Sequence, residues 1–472
     1  MLKIHSIFLA ALFVSTSLMA QTATPQEEEA VDVIEYDDGS YDAASQLEFA
    51  GGPLILNLND CIRLALANNG KIQGKMSGIE AAGWQKKEAK GYWKPRLEYE
   101  YQGAVVPADI SDAFNAYFNA DWSFFSRGKL TLGVPVYSFG QFKLAEKLAD
   151  QGVQKSIQDK YKDEAEVASQ VRQLFSGILL SKELHDLLDN ARDELERRIE
   201  KEEANPEHSP FQTMQMQMVL LEVEKRLAEI NDRGNLAKAG MRVQLGLPPD
   251  ADFGLTQDKL RPVRATLGSL EDYLKVAGDY RPESQMLAIG VQAKQLEYQL
   301  EKRKMMPGLG LGGFVEIGRT TSDIRGVSAS NVDPFNFTRG GLGIEMRGKF
   351  DFYGSHTRIK RLEAEYHKTL LDVSIAKRAI GLDVQEAYQN AKRAQDNLMR
   401  ADETQSLARR MMFVTKSNID IGLGSEKEYV EALKQLVESR GDYFKTVFDF
   451  NVALAKLDEK IGVVPEVQGG TP

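Results

Sequence analysis

The chain has 472 residues, with 69 acidic against 59 basic side chains and a formal net charge of −10. This acidic balance argues against a dedicated nucleic-acid-binding protein, and the single cysteine, Cys61, excludes an internal disulfide. The sequence contains no serine elbow, P-loop or Cys/His pair, and none of its histidines lies at metal-ligand spacing from a second ligand. We therefore expect no enzymatic activity, no metal site and no cofactor.

The N-terminus has the pattern of a secretory signal peptide. Lys3 precedes a short apolar segment, 7–18, and the small residue Ala20 follows it, which predicts a removable signal over 1–20. Residues 21–54 are rich in Asp and Glu and poor in large apolar side chains, which predicts a disordered acidic leader. Because no later apolar run is long enough to span a bilayer as a helix, a membrane location would depend on β-strands.

The rest of the chain is two copies of one plan. Asn69 and Pro95 in the first copy align with Arg281 and Pro307 in the second copy at a single offset. Each copy has two helical segments separated by a break, a proline, two alternating segments, a long helical segment and a returning helical segment. The predicted divisions are 55–250 for the first copy, 251–265 for a linker, 266–463 for the second copy and 464–472 for a C-terminal tail.

Alternating segments follow the proline in each copy. In the first of them, Leu97, Tyr99 and Tyr101 alternate with Glu98 and Glu100. A strand with one apolar face and one ionised face lies between an apolar medium and water. Segments of about ten residues with aromatic ends are typical of strands that cross an outer membrane. Ordinary soluble β-hairpins are the alternative interpretation.

Four strands are predicted, at about 95–105, 126–137, 307–318 and 339–351. They are too few to enclose an aqueous lumen, since even small barrels need about eight. If these strands are transmembrane, the chain must therefore form oligomers.

Long segments without proline follow the strands. Residues 141–205 and 355–418 carry apolar side chains at heptad-like steps, which predicts coiled-coil helices roughly 100 Å long. Return helices are expected at 211–245 and 426–461. The predicted turn residues are Pro206 and Pro210 in the first copy, and Gly422, Gly424 and Ser425 in the second. A soluble coiled-coil structural protein would show the same helical pattern.

The order of these features, in duplicate, resembles the TolC-like outer-membrane efflux proteins over nearly all of 55–463. The resemblance implies an α+β membrane protein, with four transmembrane β-strands from each chain and long antiparallel coiled-coil helices. Three identical chains would form a 12-stranded β-barrel above a periplasmic α-helical tunnel. The resemblance also implies that the protein lies in the outer membrane of a Gram-negative bacterium, in contact with outer-membrane lipid. It would dock to a periplasmic adaptor protein and an inner-membrane pump. The implied function is export through a tripartite efflux or type I secretion system.

The resemblance also implies a constriction at the periplasmic tip. Family members often narrow this tip with acidic side chains shortly after the tip glycine, and the matching residues here are Glu428 and Glu431. They are three apart and so share a helix face, and threefold symmetry would make a carboxylate ring that favours cations. The matching positions of the first copy are Gln212 and Gln215, which are uncharged. A pair of solvated surface glutamates is the alternative.

Two other interpretations carry less weight. The segment 308–313 matches G-x-G-x-x-G by letter, but it follows a helical segment and lies inside a strand pattern, which does not suit a dinucleotide site. The alternative to a channel is a soluble periplasmic coiled-coil scaffold or adaptor. Adaptors have one helical hairpin with lipoyl-like halves, whereas this sequence duplicates a strand pair with aromatic ends.

Overall fold

The computed structural model describes one structural unit, within Pro53–Pro472. The described residues are 54–109, 113–119, 121–204, 210–321, 323–324, 327, 333–348, 351–421 and 423–464. The predicted signal peptide, the leader up to residue 53, the turn residues Pro206 and Gly422, and residues 465–472 of the tail lie outside the described residues.

Each copy opens with two helices separated by a break. In the first copy these are α1 (Leu58–Asn68) and α2 (Gly70–Lys90). Asn69 separates them, because its side chain accepts a hydrogen bond from the backbone N–H of Lys71 at 2.9 Å and thereby caps α2. The same side chain donates to the backbone carbonyl of Gln244 at 3.1 Å, so the break is also anchored to the returning helix.

Two strands and two long helices complete the first copy. The strands are β2 (Arg96–Pro107) and β3 (Trp122–Tyr137), with a short helix, α3 (Ala113–Phe118), in the connection between them. The long helix α4 (Gln141–Glu203) has 63 residues, which corresponds to about 95 Å. The returning helix α5 (Pro210–Leu245) starts at Pro210, one of the predicted turn residues.

The second copy repeats this order of elements. Its helix pair is α6 (Leu270–Tyr280) and α7 (Pro282–Lys304), its strands are β5 (Gly308–Thr320) and β6 (Phe337–Arg347), and its helical hairpin is α8 (Phe352–Asp420) and α9 (Glu426–Ile461). Pro282 occupies the first turn of α7, where a missing N–H costs nothing. Among the described helices, none is both long and apolar enough to cross a membrane.

The two strand pairs form one antiparallel sheet in the order β2-β3-β5-β6. The register is continuous from Arg96, which lies opposite Gly133, to Pro107, which lies opposite Trp122. It shifts between β3 and β5 at Pro135, where the ring removes a backbone donor from the ladder. The sheet therefore joins the two copies side by side, with β2 and β6 as its outer strands.

The returning helices end in the same way in both copies. Gly246 follows α5 with a φ of 66°, and Gly462 caps α9 with a φ of 77°, a left-handed conformation that favours glycine. A Cβ on Gly246 would lie 2.6 Å from the backbone oxygen of Asn68, and one on Gly462 would lie 2.6 Å from the Cα of Arg281. Each returning helix thus ends against the break in the helix pair of its own copy.

Among the described residues, two apolar clusters join helices that are distant in sequence. One joins α6, α8 and α9 through buried residues that include Ala277, Val384 and Leu457. The other joins α4, α5 and α9, with Leu195, Val223 and Leu433 among its members. The second cluster links the two helical hairpins to each other, because α4 and α5 belong to the first copy and α9 belongs to the second.

Several boundaries differ from the sequence expectation, including the start of β3 at Trp122 rather than at 126. The leader was expected to reach residue 54, but Leu54–Leu56 forms β1, which pairs in parallel with β4 (Phe253–Leu255) inside the expected linker at 251–265. Leu56 and Phe253 are buried in this pair, a long-range contact that has no local periodicity to reveal it. The fourth strand ends at Arg347 rather than 351, because Asp351 instead accepts a hydrogen bond from the backbone N–H of Gly354 and caps α8.

Candidate functional site

The four-stranded sheet has one ionic face and one apolar face. Residues directly opposite each other in register share a face, so Glu100, Lys129, Glu316 and Arg339 form one row across all four strands. The neighbouring row on the other face begins with Tyr99, Leu130 and Val315. The charged side chains that alternate in sequence are therefore gathered on one surface, apart from Arg319, which lies opposite Ser126 on the other face.

The apolar face is exposed in the single chain. Tyr99, Leu342 and Ile344 have exposed fractions of 87%, 93% and 82%. Contiguous exposed apolar surface of this kind marks contact with a membrane or with another protein. The outer edges of β2 and β6 have no strand partner in the described part of the chain.

A carboxylate between two arginines organises the ionic face. The Glu316 side chain is 3% exposed, and its Oε1 lies 2.5 Å from Arg127 Nε. Its Oε2 accepts a hydrogen bond from Arg339 Nε at 2.8 Å. Arg127 also donates to Gln102 Oε1 at 3.4 Å. Two ion pairs connect β3, β5 and β6 on this face, and the hydrogen bond from Arg127 to Gln102 extends the connection to β2.

The predicted constriction residues lie at the start of α9, and both are exposed. Glu428 forms a capping box with Ser425: its backbone N–H donates to the Ser425 hydroxyl at 3.3 Å, and its carboxylate accepts from the backbone N–H of Ser425 at 3.2 Å. Glu431 Oε1 accepts a hydrogen bond from Gln435 at 3.5 Å. Glu428 is thus turned back towards the helix start, whereas Glu431 points along the helix. A role for either residue in a constriction stays a prediction.

Gly424 and Ser425 both shape the turn before α9. A Cβ on Gly424 would lie 2.8 Å from Ile419 Cγ1 and 3.0 Å from the Ile419 backbone nitrogen, so only glycine fits without movement. The backbone N–H of Leu423 donates to the Asn418 carbonyl at 2.8 Å, which closes the end of α8. Ser425 is the N-cap of α9.

A polar cluster that the sequence did not predict joins α4 to α9 close to this turn. The Tyr429 hydroxyl donates to Glu194 Oε1 at 2.6 Å, and the Arg198 guanidinium lies 3.7 Å from the centre of the Tyr429 ring. Arg198 Nη1 also donates to both carboxylate oxygens of Glu426 at 2.8 Å. We call these four residues the hairpin clasp. They connect the two copies, since Glu194 and Arg198 belong to α4.

The hairpin clasp fixes the ionisation of its members. Burial alone would raise the pKa of the Glu194 carboxyl, but hydrogen bonds from Tyr429 and Arg197 hold that pKa below its usual value. Burial, and then the contact with Glu194, raises the pKa of Tyr429 to about 12. At neutral pH the tyrosine is therefore a hydroxyl donor and the glutamate an ionised acceptor, which is the stronger kind of hydrogen bond.

Comparisons by sequence alone give no match: no protein-family profile and no curated protein matches this chain. Solved structures do match. The Campylobacter jejuni CmeC outer membrane channel superposes with a TM-score of 0.69 at 13% identity, covering 86% of this chain and 85% of that chain. The outer membrane protein VceC from Vibrio cholerae gives 0.66 at 14% identity, covering 86% and 96%.

The open-state MtrE outer membrane channel of Neisseria gonorrhoeae is similar to the same degree. Its TM-score is 0.69 at 13% identity, and the match covers 86% of this chain and 89% of that one. At these identities the likeness concerns the fold. The predicted resemblance in fold to TolC-like channels is confirmed.

The ion cluster on the sheet predicts a stability effect for the substitution Glu316→Gln. Without the carboxylate, Arg127 and Arg339 would face each other and Lys129 with no anion between them, so the thermal unfolding temperature of the purified protein should fall. Glu345→Gln is the matched control, because Glu345 lies on the same face and, among the described residues, its only ion pair is with the exposed Arg347. Equal melting temperatures for the two variants would contradict a stabilising role for the cluster.

The hairpin clasp predicts faster local opening in Tyr429→Phe. Loss of a buried hydrogen bond to a charged group costs about 1.5–3 kcal/mol. Hydrogen exchange of the amides at the start of α9 should therefore be roughly 10–150 times faster. Tyr366→Phe on α8 is the control, since among the described contacts the Tyr366 hydroxyl has no hydrogen bond. Similar exchange in both variants would show that the clasp does not hold α9.

The lowered pKa of Glu194 predicts a loss of protection in acid. A carboxyl whose pKa is lower in the folded state stabilises that state above its unfolded pKa, and this stabilisation disappears as the pH falls through the folded pKa. Protection factors at the start of α9 should therefore hold at neutral pH and drop below about pH 4. In Tyr429→Phe the drop should be smaller, because one hydrogen bond that lowers the Glu194 pKa is absent. An equal drop in both proteins would contradict this origin.

Proposed function

We propose that this chain, which shares its fold with solved outer-membrane channels, is a subunit of a channel in the outer membrane of a Gram-negative bacterium. The observation that carries the proposal is the sheet: one face is apolar and exposed, the other is ionic, and two long helical hairpins continue from it. A strand layer with these two faces suits a boundary between lipid and a water-filled lumen. The helices would extend into the periplasm.

The channel would be a homotrimer. One chain supplies four strands to the sheet, and three chains would supply the strands of a 12-stranded barrel. The outer strands support this closure because the sheet is antiparallel throughout, so β2 and β6 run in opposite directions. The β6 strand of one chain can therefore pair in an antiparallel manner with β2 of the next, which leaves no open edge in lipid.

The three pairs of helical hairpins would form a tunnel that carries substrates through the periplasm. In this proposal, a periplasmic adaptor protein and an inner-membrane pump dock at the tunnel end, as in tripartite efflux or type I secretion systems. The chain itself is a conduit and not an enzyme. Its selectivity would reside in the narrowest part, for which Glu428 and Glu431 are the proposed residues.

The capping box determines which substitution tests the constriction. Alanine at Glu428 would remove a helix cap as well as a charge, so its effect on conduction would be ambiguous. Glutamine keeps the capping hydrogen bond and the helix propensity while it removes the charge. The variant Glu428→Gln/Glu431→Gln is therefore the cleaner test of a carboxylate ring.

The protein should conduct ions in a planar lipid bilayer, with small cation-selective steps. In a salt gradient, the reversal potential of Glu428→Gln/Glu431→Gln should move towards the unselective value, because two carboxylates from each of three chains are lost. Glu403→Gln, which removes an exposed carboxylate from α8, should leave it unchanged.

The possible outcomes test the constriction and the channel separately. If the variant conducts and its reversal potential is unchanged, Glu428 and Glu431 do not form the constriction, but the proposal of a channel still stands. A water-soluble wild-type protein without conductance would contradict the channel and favour a periplasmic coiled-coil scaffold.

A further inference from the structure

An exposed aromatic cluster lies in the connection between β2 and β3. Phe114 and Phe118 of α3 have ring centres 4.7 Å apart, and Tyr117 packs edge-on against Trp122 with ring centres 4.9 Å apart. The exposed fractions of Phe114, Tyr117 and Phe118 are 74%, 63% and 67%. The rings therefore contact each other but are not covered by the rest of the described chain. We call Phe114, Tyr117, Phe118 and Trp122 the rim cluster.

The rim cluster continues the apolar face of the sheet. Trp122 is the first residue of β3 and has the same parity as Phe124 and Leu130, which lie on the apolar face. Phe124 packs across Gly103 of β2, since a Cβ on Gly103 would lie 2.9 Å from the Phe124 ring. Tyr117 meets this face through Trp122, so the rings of α3 extend the apolar surface beyond the strands.

At the same end of the sheet, the ionic face is partly covered by other residues, whereas the rim cluster is exposed. Val106 and Ser123 are buried, and Ile324 from the connection between β5 and β6 is buried as well. Phe125, on the ionic side, packs against Phe335 with ring centres 5.4 Å apart. Phe335 of the second connection therefore lies against the ionic side of the sheet, whereas the rim cluster lies on the apolar side.

The amino-acid composition of α3 is typical of a segment at a membrane interface. Residues 113–119 read Ala-Phe-Asn-Ala-Tyr-Phe-Asn, with three aromatic rings and no charge. Tyrosine and tryptophan rings accumulate where the headgroups of a membrane meet its acyl chains, because one part of the ring is apolar and another can be hydrated. Tyr117 and Trp122 are rings of this kind, and Phe114 and Phe118 add apolar surface beside them. An exposed apolar cluster of this kind marks a surface for contact with a membrane or with another protein.

We infer that the rim cluster is a membrane-interface anchor that inserts among the lipid headgroups around the end of the sheet farthest from the helices. This inference rests on the proposed channel, since it takes the apolar face of the sheet as the lipid-facing surface. The anchor would fix the height of the sheet in the membrane. It uses a loop helix in addition to the strands.

Trp122 provides a direct probe. In a protein with Trp84→Phe and Trp93→Phe, Trp122 is the sole tryptophan, and the purified protein is reconstituted into vesicles of phospholipid brominated near the headgroup. The Trp122 emission should be blue-shifted and should be quenched by brominated lipid at least about twice as strongly as that of a matched protein that retains only Trp84. Trp84 is exposed on α2, which the proposal places in the periplasm.

The variant Phe114→Ser/Phe118→Ser should reduce the lipid quenching of Trp122 and leave ion conductance in the bilayer unchanged. If the protein conducts ions but Trp122 is quenched by aqueous acrylamide and not by brominated lipid, the proposed anchor is wrong and the proposed channel still stands. If the protein conducts and neither quencher reaches Trp122, the anchor is also wrong, because protein then covers the cluster. Absence of both conductance and vesicle insertion would instead contradict the channel.

Discussion

The structure depends on a sheet that presents two incompatible surfaces. One face carries Glu100, Lys129, Glu316 and Arg339 in a row, and the other carries tyrosine, leucine and isoleucine side chains that the chain leaves exposed. The charged face is stable in contact with water, whereas the apolar face is not. A soluble monomer would therefore expose the apolar face to water, and a fully buried sheet would remove the charged face from water. A closed cylinder with lipid outside and water inside does satisfy both. The proposals for the oligomer, the lumen and the rim cluster all follow from this constraint.

The contacts of the helices fix the two duplicated halves of the chain relative to each other. The antiparallel sheet ties the copies at one end, and the cluster of Leu195, Val223 and Leu433 ties them further along. The hairpin clasp adds directional contacts to that apolar cluster, because Tyr429 is buried at 2% exposure and is reached by both Glu194 and Arg198. The glycine ends of α5 and α9 then fix each returning helix against its own opening pair.

Much of this fold follows from local pattern. Alternation of charged and apolar residues predicts the strands, long segments without proline predict α4 and α8, and the repeated breaks at Asn69 and Arg281 predict the duplication. The Ser425–Glu428 spacing is also a local signal for a capping box, and it could have predicted that one of the two glutamates is held at the helix start.

Contacts between distant residues have no such signal. The clasp joins residues separated by 235 positions, and β1 pairs with β4 through strands of only three residues each. The helix α3 was not predicted, because six residues are too short to show a helical period. In each case the side chains are ordinary in sequence, and only the packing of the two copies brings them together.

The most direct test of the central claim is the mass of the detergent-solubilised protein, measured by native mass spectrometry after the detergent is removed in the gas phase. If the four-stranded sheet of one chain must close with others, the protein should appear as three chains, with neither monomer nor dimer persisting at low concentration. A folded monomer in which β2 and β6 remain unpaired would contradict the account.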